Sequence, residues 1–206
     1  MTVTELLRAD LQLIRDLIPE GSRVLDLGCG DGSLLAHLRD EKGCFVRGLE
    51  ITPEGVAACL GRGLSVVQAD LDEGLAGYPD DAFDVVVLSQ TLQVVRNPAL
   101  VLREMLRVGR RGIITFPNFG YWRIRGYLAF RGRMPVSESI PFSWYDTPNI
   151  HHTTIKDFRD FVAANGGEIE REIPLSAGEW RQRATRVSFW PNLLADTALA
   201  VVKARE

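Results

Sequence analysis

The run Arg23-Val-Leu-Asp-Leu-Gly-Cys-Gly-Asp-Gly-Ser-Leu34 constrains this chain more than any other feature. An apolar strand ends in a turn with glycine at every second position, and Ser33 then opens a helical pattern. Twenty residues beyond Gly30, Glu50 closes a second apolar run. Glycine at 28, 30 and 32 lets the backbone turn tightly and approach a ligand with no Cβ in the way. The helix start presents unpaired N–H groups. Glu50 falls where a carboxylate accepts hydrogen bonds from ribose hydroxyls. Turn, helix start and distant acid, in that order, describe a pocket for an adenosine-bearing cofactor rather than a bare strand-to-helix turn.

Spacing and charge select among such cofactors. The glycines read G-x-G-x-G, whereas dinucleotide folds use G-x-G-x-x-G, and Ser33 stands where their third glycine would be. Asp26 and Asp31 flank the turn. Each carboxylate would repel a pyrophosphate by roughly a kcal/mol or more. Beside the sulfonium and ammonium of S-adenosylmethionine the same charges are favourable. The sequence therefore predicts S-adenosylmethionine or its demethylated product S-adenosylhomocysteine, held by Asp26, Gly28, Cys29, Gly30, Asp31 and Glu50.

The rest of the chain alternates strand and helix signals. Strands are expected at 23–27, 45–49, 64–68, 83–88 and 112–116. Helices are expected at 4–18, from 34 to 39, after Thr52-Pro53-Glu54 and from Asn97-Pro98 to about Arg107. Thr52 and Asn97 suit N-caps, each with proline next. Unbroken apolar runs such as Val85-Val86-Val87-Leu88 indicate strands covered on both faces, as in a parallel sheet. A helix at 154–164, closed by Asn165-Gly166-Gly167, precedes a sixth strand at 169–174. A last strand at 193–202 is expected to pair antiparallel with the sixth. The fold class is α/β: a Rossmann-like doubly wound, mostly parallel seven-stranded sheet with an antiparallel last strand. One domain is expected over 1–206: an N-terminal helix (1–19), a cofactor-binding core (20–116), an insertion (117–150) and a C-terminal helix with a strand pair (151–206).

That insertion is distinctive. Residues 116–145 hold nine of the chain's seventeen aromatics, with Arg123, Arg125, Arg131 and Arg133 interleaved. Three uses suit this composition: a nucleic-acid groove, a lid over the cofactor, or a protein-docking surface. A net charge of −3 argues against nucleic acid and anionic membranes as partners. No apolar run reaches the roughly 18 residues that span a bilayer. Cys29, Cys44 and Cys59 lack metal-ligand spacing and fit reduced thiols in a cytoplasmic protein, so no metal is expected.

With these elements placed, the chain resembles the class I S-adenosylmethionine-dependent methyltransferase superfamily. Val24-Leu-Asp-Leu-Gly-Cys-Gly-Asp-Gly-Ser33 matches its first motif and Gly48-Leu-Glu-Ile-Thr-Pro-Glu54 its second. Gln68-Ala-Asp70 and the Phe83–Ser89 strand with its loop match the third and fourth. The resemblance implies that Ile51, Asp70, Leu71 and Ser89 join the cofactor set. More narrowly, the chain is similar to the methionine biosynthesis protein MetW family. Leu88-Ser-Gln-Thr-Leu-Gln93, Phe116-Pro-Asn-Phe-Gly-Tyr-Trp122 and Pro141-Phe-Ser-Trp-Tyr-Asp-Thr-Pro-Asn-Ile-His151 carry that likeness. It implies a homoserine O-acyltransferase (acetyl- or succinyltransferase) as partner and leaves a homodimer open. The chain alone does not readily read as that acyltransferase, since no G-x-S-x-G nucleophile elbow of an α/β-hydrolase occurs in it.

The catalytic side is thin. Ser89, Gln90 and Gln93 fall in the crevice beyond the fourth strand, and all are neutral. Many small-molecule methyltransferases place Glu and His in that loop, where this chain has Gln93 and Val94. His151 and His152 are the remaining candidate bases, but they precede Thr154-Ile-Lys-Asp157, which reads as a capping box with Asp for Glu. Two functions remain: an accessory partner of the acyltransferase, or a methyltransferase acting on a small metabolite.

Overall fold

The computed structural model describes residues 8–137, 139–176, 185–186 and 190–205. Helix α1 (Ala9–Leu17) leads into β1 (Arg23–Leu27), α2 (Ser33–Lys42), β2 (Phe45–Glu50), α3 (Pro53–Gly61) and β3 (Val66–Gln68). Then come β4 (Phe83–Ser89), α4 (Pro98–Val108), β5 (Gly109–Pro117), α5 (Trp122–Arg131), α6 (Ile155–Ala164) and β6 (Gly167–Ser176). A two-residue β7 (Thr185–Arg186), the short α7 (Pro191–Leu194) and β8 (Thr197–Ala204) complete the chain.

The sheet order is β3-β2-β1-β4-β5-β8-β6-β7. Strands β1 to β5 are mutually parallel, β8 runs antiparallel to β5, and β6 runs antiparallel to β8. The expected mixed sheet is thus present, with β7 added at its edge on Leu175 and Ser176. Chain direction reverses its lateral course between β1 and β4, so a crevice opens beyond the carboxyl ends of those strands.

Strand alternation explains the core. Val85 and Val87 face α1 and α2 with Ile14, Ile18, Leu34 and Leu38. Val86 and Leu88 face the other layer, where α4 and α6 contribute Leu102, Met105, Phe158 and Val162. All four β4 residues are buried, as an apolar run covered on both faces requires. Each such side chain contributes about 1.5–3 kcal/mol through burial.

Several boundaries differ from the sequence expectation. Strand β5 begins at Gly109, directly after α4, because its strand backbone continues through Arg110 and Arg111 against β4. A Cβ at Gly109 would lie 2.4 Å from Val86 Cγ2, so only glycine permits this abrupt join. The last strand starts at Thr197, not 193; Pro191 instead opens one helical turn, closed by Ala195 N–H donating to Pro191 O at 3.0 Å. Helix α5 was not expected at all. Residues 4–7 of the entry helix lie outside the described residues.

Candidate functional site

The glycine turn is sewn to the end of β2. Gly28 and Cys29 N–H both donate to Leu49 O, at 2.8 and 3.0 Å. Gly28, Gly30 and Gly32 all have positive φ (77°, 57° and 76°), a region that side-chain-bearing residues enter at a cost. Their surroundings differ. A Cβ on Gly32 would strike Leu64 Cδ1 at 2.5 Å, whereas one on Gly30 would meet nothing within 4 Å.

Glu50 locks this turn to the next helix. Its Oε2 accepts from Gly30 N–H at 2.9 Å, and its Oε1 accepts from Thr52 N–H at 2.9 Å and the Thr52 hydroxyl at 2.8 Å. Burial pulls its pKa upward, but the hydrogen bonds from Thr52 and Gly30 outweigh that and hold it below the usual glutamate value. Thr52 in turn caps α3, its Oγ1 accepting from Gly55 N–H at 3.2 Å.

Two hollows flank the turn and share Gly28. The first, of about 370 Å³, is lined by Asp26, Cys29, Gly30, Asp31 and Ser89, with Arg8 and Leu11 from the α1 end. The second, of about 200 Å³, is lined by Glu50, Ile51, Asp70, Leu71, Thr91 and Arg96 among others. All ten residues singled out for the cofactor therefore border one of two adjoining hollows at the sheet's switch point. Their separation suits a bipartite ligand, one part on either side of Gly28.

The carboxylates are not equivalent. Asp26 is buried and its Oδ1 has no hydrogen-bond partner among the described residues. Burial, then the charge of Glu50, pushes its pKa up to about 7, against a smaller opposing pull from Arg8. Asp31 is half exposed, and burial would raise its pKa. Hydrogen bonds from Ser33 and the Arg62 guanidinium at 2.9 Å outweigh that and hold it low. The charge of Asp31 is thus answered within the protein, whereas Asp26 Oδ1 has no hydrogen-bond partner among the described residues.

Sequence reasoning missed the groups that reach the hollows from afar. Asp10, 1% exposed, accepts from Arg8 and lies 3.5 Å from the Ser89 hydroxyl. One signal was available: Asp10 shares an apolar helical stripe with Ile14, an unusual place for an acid. On the second hollow Arg96 bridges Asp70 at 2.8 Å and Asp72 at 3.2 Å, and Asp72 also accepts from Arg96 and Asn97 N–H. Asp70 itself caps the short turn Leu71–Glu73 by accepting from Asp72 N–H at 2.9 Å.

The three catalytic candidates, neutral Gln93 and the possible bases His151 and His152, lie elsewhere and line neither hollow. Gln93 is buried, and its Nε2 turns back to donate to Gln90 O at 2.8 Å. His151 has a buried Nε2 without a partner among the described residues. His152 is exposed, with its ring edge-on to Phe119 at 4.4 Å. Gln93 and His151 do meet through the backbone, since Ile150 and His151 N–H donate to Gln93 O at 2.9 and 3.1 Å. Cys29 and Cys59 sit 3.7 Å apart, sulfur to sulfur, with burial pushing both thiols above their usual pKa. Such thiols are poor nucleophiles. Among the described residues no cluster of His, Cys, Asp and Glu has the makings of a metal site, and no helix is long and apolar enough to cross a membrane.

Comparison with known proteins agrees with this architecture. The family model "Methionine biosynthesis protein MetW" matches residues 8–202. A bifunctional methionine biosynthesis protein MetXA/MetW of Rhodopirellula baltica is 40% identical over 202 residues, which is 94% of this chain and 32% of that protein. The chain spans about a third of the length of the first curated relatives it matches. A SAM-dependent methyltransferase from Archaeoglobus fulgidus superposes with a TM-score of 0.71 at 18% identity, covering 98% of this chain and 94% of that one. Magnesium protoporphyrin IX methyltransferase of Synechocystis, solved with bound SAH, gives 0.63 at 19%, covering 95% and 79%. At these identities the structural likeness establishes the class I methyltransferase fold and nothing finer.

Proposed function

This chain belongs to the methionine biosynthesis protein MetW family, and we propose that it is an accessory subunit of homoserine O-acyltransferase that binds S-adenosylmethionine or S-adenosylhomocysteine. One observation carries the partnership: in the Rhodopirellula relative, a stretch 40% identical to this chain is part of one bifunctional protein named for both MetXA and MetW. Two functions joined in one polypeptide are held at high effective concentration, an arrangement that favours partners which work together.

The site suits the cofactor. The adenosine would sit in the hollow between Glu50 and Asp70, with Glu50 Oε2 retaining lone-pair capacity for a ribose hydroxyl beyond its bond to Gly30. The methionine end would occupy the larger hollow, where the unpartnered Asp26 Oδ1 suits a cation and Arg8 a carboxylate. When bound, S-adenosylmethionine supplies a transferable methyl group on a sulfonium. This chain's own contribution is to bind and orient it. Ser89 and Gln90, where β4 ends, are neutral, which suits ligand binding at least as well as proton transfer.

Co-purification with the acyltransferase, combined with calorimetric titration of S-adenosylhomocysteine, tests the proposal. A stable complex and saturable binding are expected. Failure to co-purify, together with methyl transfer to an amine or hydroxyl acceptor, would establish the methyltransferase reading instead.

A further inference from the structure

Residues 117–137 and 139–150 build a small platform beyond the carboxyl end of β5. Asn118 fixes its start with every polar atom it has. Its backbone N–H donates to Asp196 O at 2.7 Å, its Nδ2 donates to Ala195 O and Asn192 O, and its Oδ1 accepts from Gly120 and Ile155 N–H. Ile150 and His151 fix the end through Gln93 O. Between these anchors Tyr121, Ile124 and Ile140 form a local apolar core with Phe119 against it.

Helix α5 lies on this platform and buries Ile124 alone. Trp122, Tyr127 and Leu128 are each 44% exposed or more, and Phe130 is 91% exposed. A helix with apolar residues on several faces is ordinarily covered. Arg123, Arg125, Arg131 and Arg133 stand among these side chains, and among the described residues none is in an ion pair. Arg123 instead lies 5.5 Å from the Trp122 ring centre. Among the described residues, ten arginines elsewhere are ion-paired. No Asp or Glu occurs from 117 to 137, although the chain carries 27 acidic and 24 basic residues overall.

We infer that α5 is the docking face for homoserine O-acyltransferase, and that it meets an apolar patch bordered by carboxylates there. The inference rests on the accessory-subunit reading above. Trp, Tyr and Arg are the residues that anchor protein interfaces, and guanidinium forks without internal partners are available to carboxylates across a contact. A second copy of this chain is a poor occupant, because a two-fold contact would set the arginine cluster against itself. A membrane surface is poorer still. Interfacial helices sort charge and apolar residues onto opposite faces, whereas Trp122-Arg123-Ile124-Arg125 interleaves them.

The test uses the full chain and the acyltransferase, with two double variants: Tyr127→Ala with Phe130→Ala, and Arg125→Glu with Arg131→Glu. Each is expected to weaken the complex by about 30-fold or more, the size of an interface hot spot. S-adenosylhomocysteine affinity and thermal midpoint should not move. Phe130→Ser alone, at the most exposed position, guards against a variant that disturbs the platform and is expected to weaken the complex in the same direction. If the wild-type chain binds the enzyme and all variants bind equally well, the docking face is wrong and the accessory reading stands. If the wild-type chain does not bind the enzyme, both fall. A dimer or a phosphatidylserine-vesicle complex that the variants abolish while acyltransferase binding persists also overturns the inference.

Discussion

At the scale of single residues, Asp26 and Glu50 divide the work by environment. Glu50 is ionised and spends hydrogen bonds on the protein's own turn, so removing it has two effects. Glu50→Ala is expected to weaken S-adenosylhomocysteine binding by about 1.5–3 kcal/mol, the range for hydrogen bonds to a charged group. Because Gly30 and Thr52 N–H lose their acceptor, the thermal midpoint should also fall, by about 2–4 °C per kcal/mol in a domain of this size. Unchanged affinity with a lowered midpoint would make Glu50 purely structural. Asp26 predicts a pH dependence. Its pKa is raised from 3.8 to about 7 in the folded chain, so the native state holds a proton that the unfolded chain releases, and stability declines as pH rises from about 4 to about 7. A cationic cofactor favours the ionised form, so its binding should strengthen as pH rises through about 7, with proton release visible when titrations are repeated in buffers of different ionisation heat. Asp26→Asn should flatten that profile and raise the melting temperature at pH 8. A wild-type affinity constant from pH 6 to 8 would contradict this account.

At the scale of elements, what could be read from the sequence was what the chain settles within a few residues. The caps at Thr52, Asn97 and Thr154 close over three residues, each accepting from the backbone N–H three positions on. Asp157 completes the capping box as the sequence suggested, its Oδ2 accepting from Thr154 N–H at 3.2 Å. The glycine turn was legible for the same reason. What stayed hidden depends on distant partners. Asp10 reaches Ser89 across 79 residues, and Arg96 finds Asp70 only because the loops after β3 and β4 lie side by side. Helix α5 escaped because it seats one residue, Ile124, and so carries no periodic stripe. The turn also yields a paired prediction. Gly30→Val should abolish cofactor binding by filling the larger hollow, at a backbone cost of about 1–3 kcal/mol for a branched residue at positive φ. Gly32→Ala adds a collision with Leu64 and Cys59 to a similar strain. It should therefore destabilise more than Gly30→Ala, which meets open space. Equal melting temperatures for the two alanine variants would show that the turn relaxes freely.

At the scale of the whole molecule, the cofactor hollows and the α5 platform stand at the same edge of the sheet. Gln93 joins them: its carbonyl holds residues 150 and 151, while neighbouring Thr91, Val94 and Val95 line the smaller hollow. If the acyltransferase grips the platform, binding at the two places can be coupled, and any such coupling is reciprocal. In the reconstituted pair, S-adenosylmethionine should change complex affinity by some factor, and the enzyme should change cofactor affinity by the same factor. Titrating each in the presence of the other measures both. Flat responses in the two directions, with no change in acyl-transfer rate, would leave the cofactor without a reporting role.

The position of β8 has a consequence for how the protein is made. It is the last strand in chain order, yet it sits between β5 and β6, giving its N–H and C=O groups to both. A nascent chain that has released residues up to 190 therefore displays β5 as an unpaired sheet edge and β6 as a strand with no neighbour from the main sheet. Both are the kind of surface that recruits other chains. Synthesis of Thr197–Ala204 is what closes the sheet. A ribosome stalled or a chain clipped just before Thr197 would leave a protein with an intact glycine turn and an open seam through its sheet, and such a product is expected to aggregate rather than accumulate as a shortened soluble form.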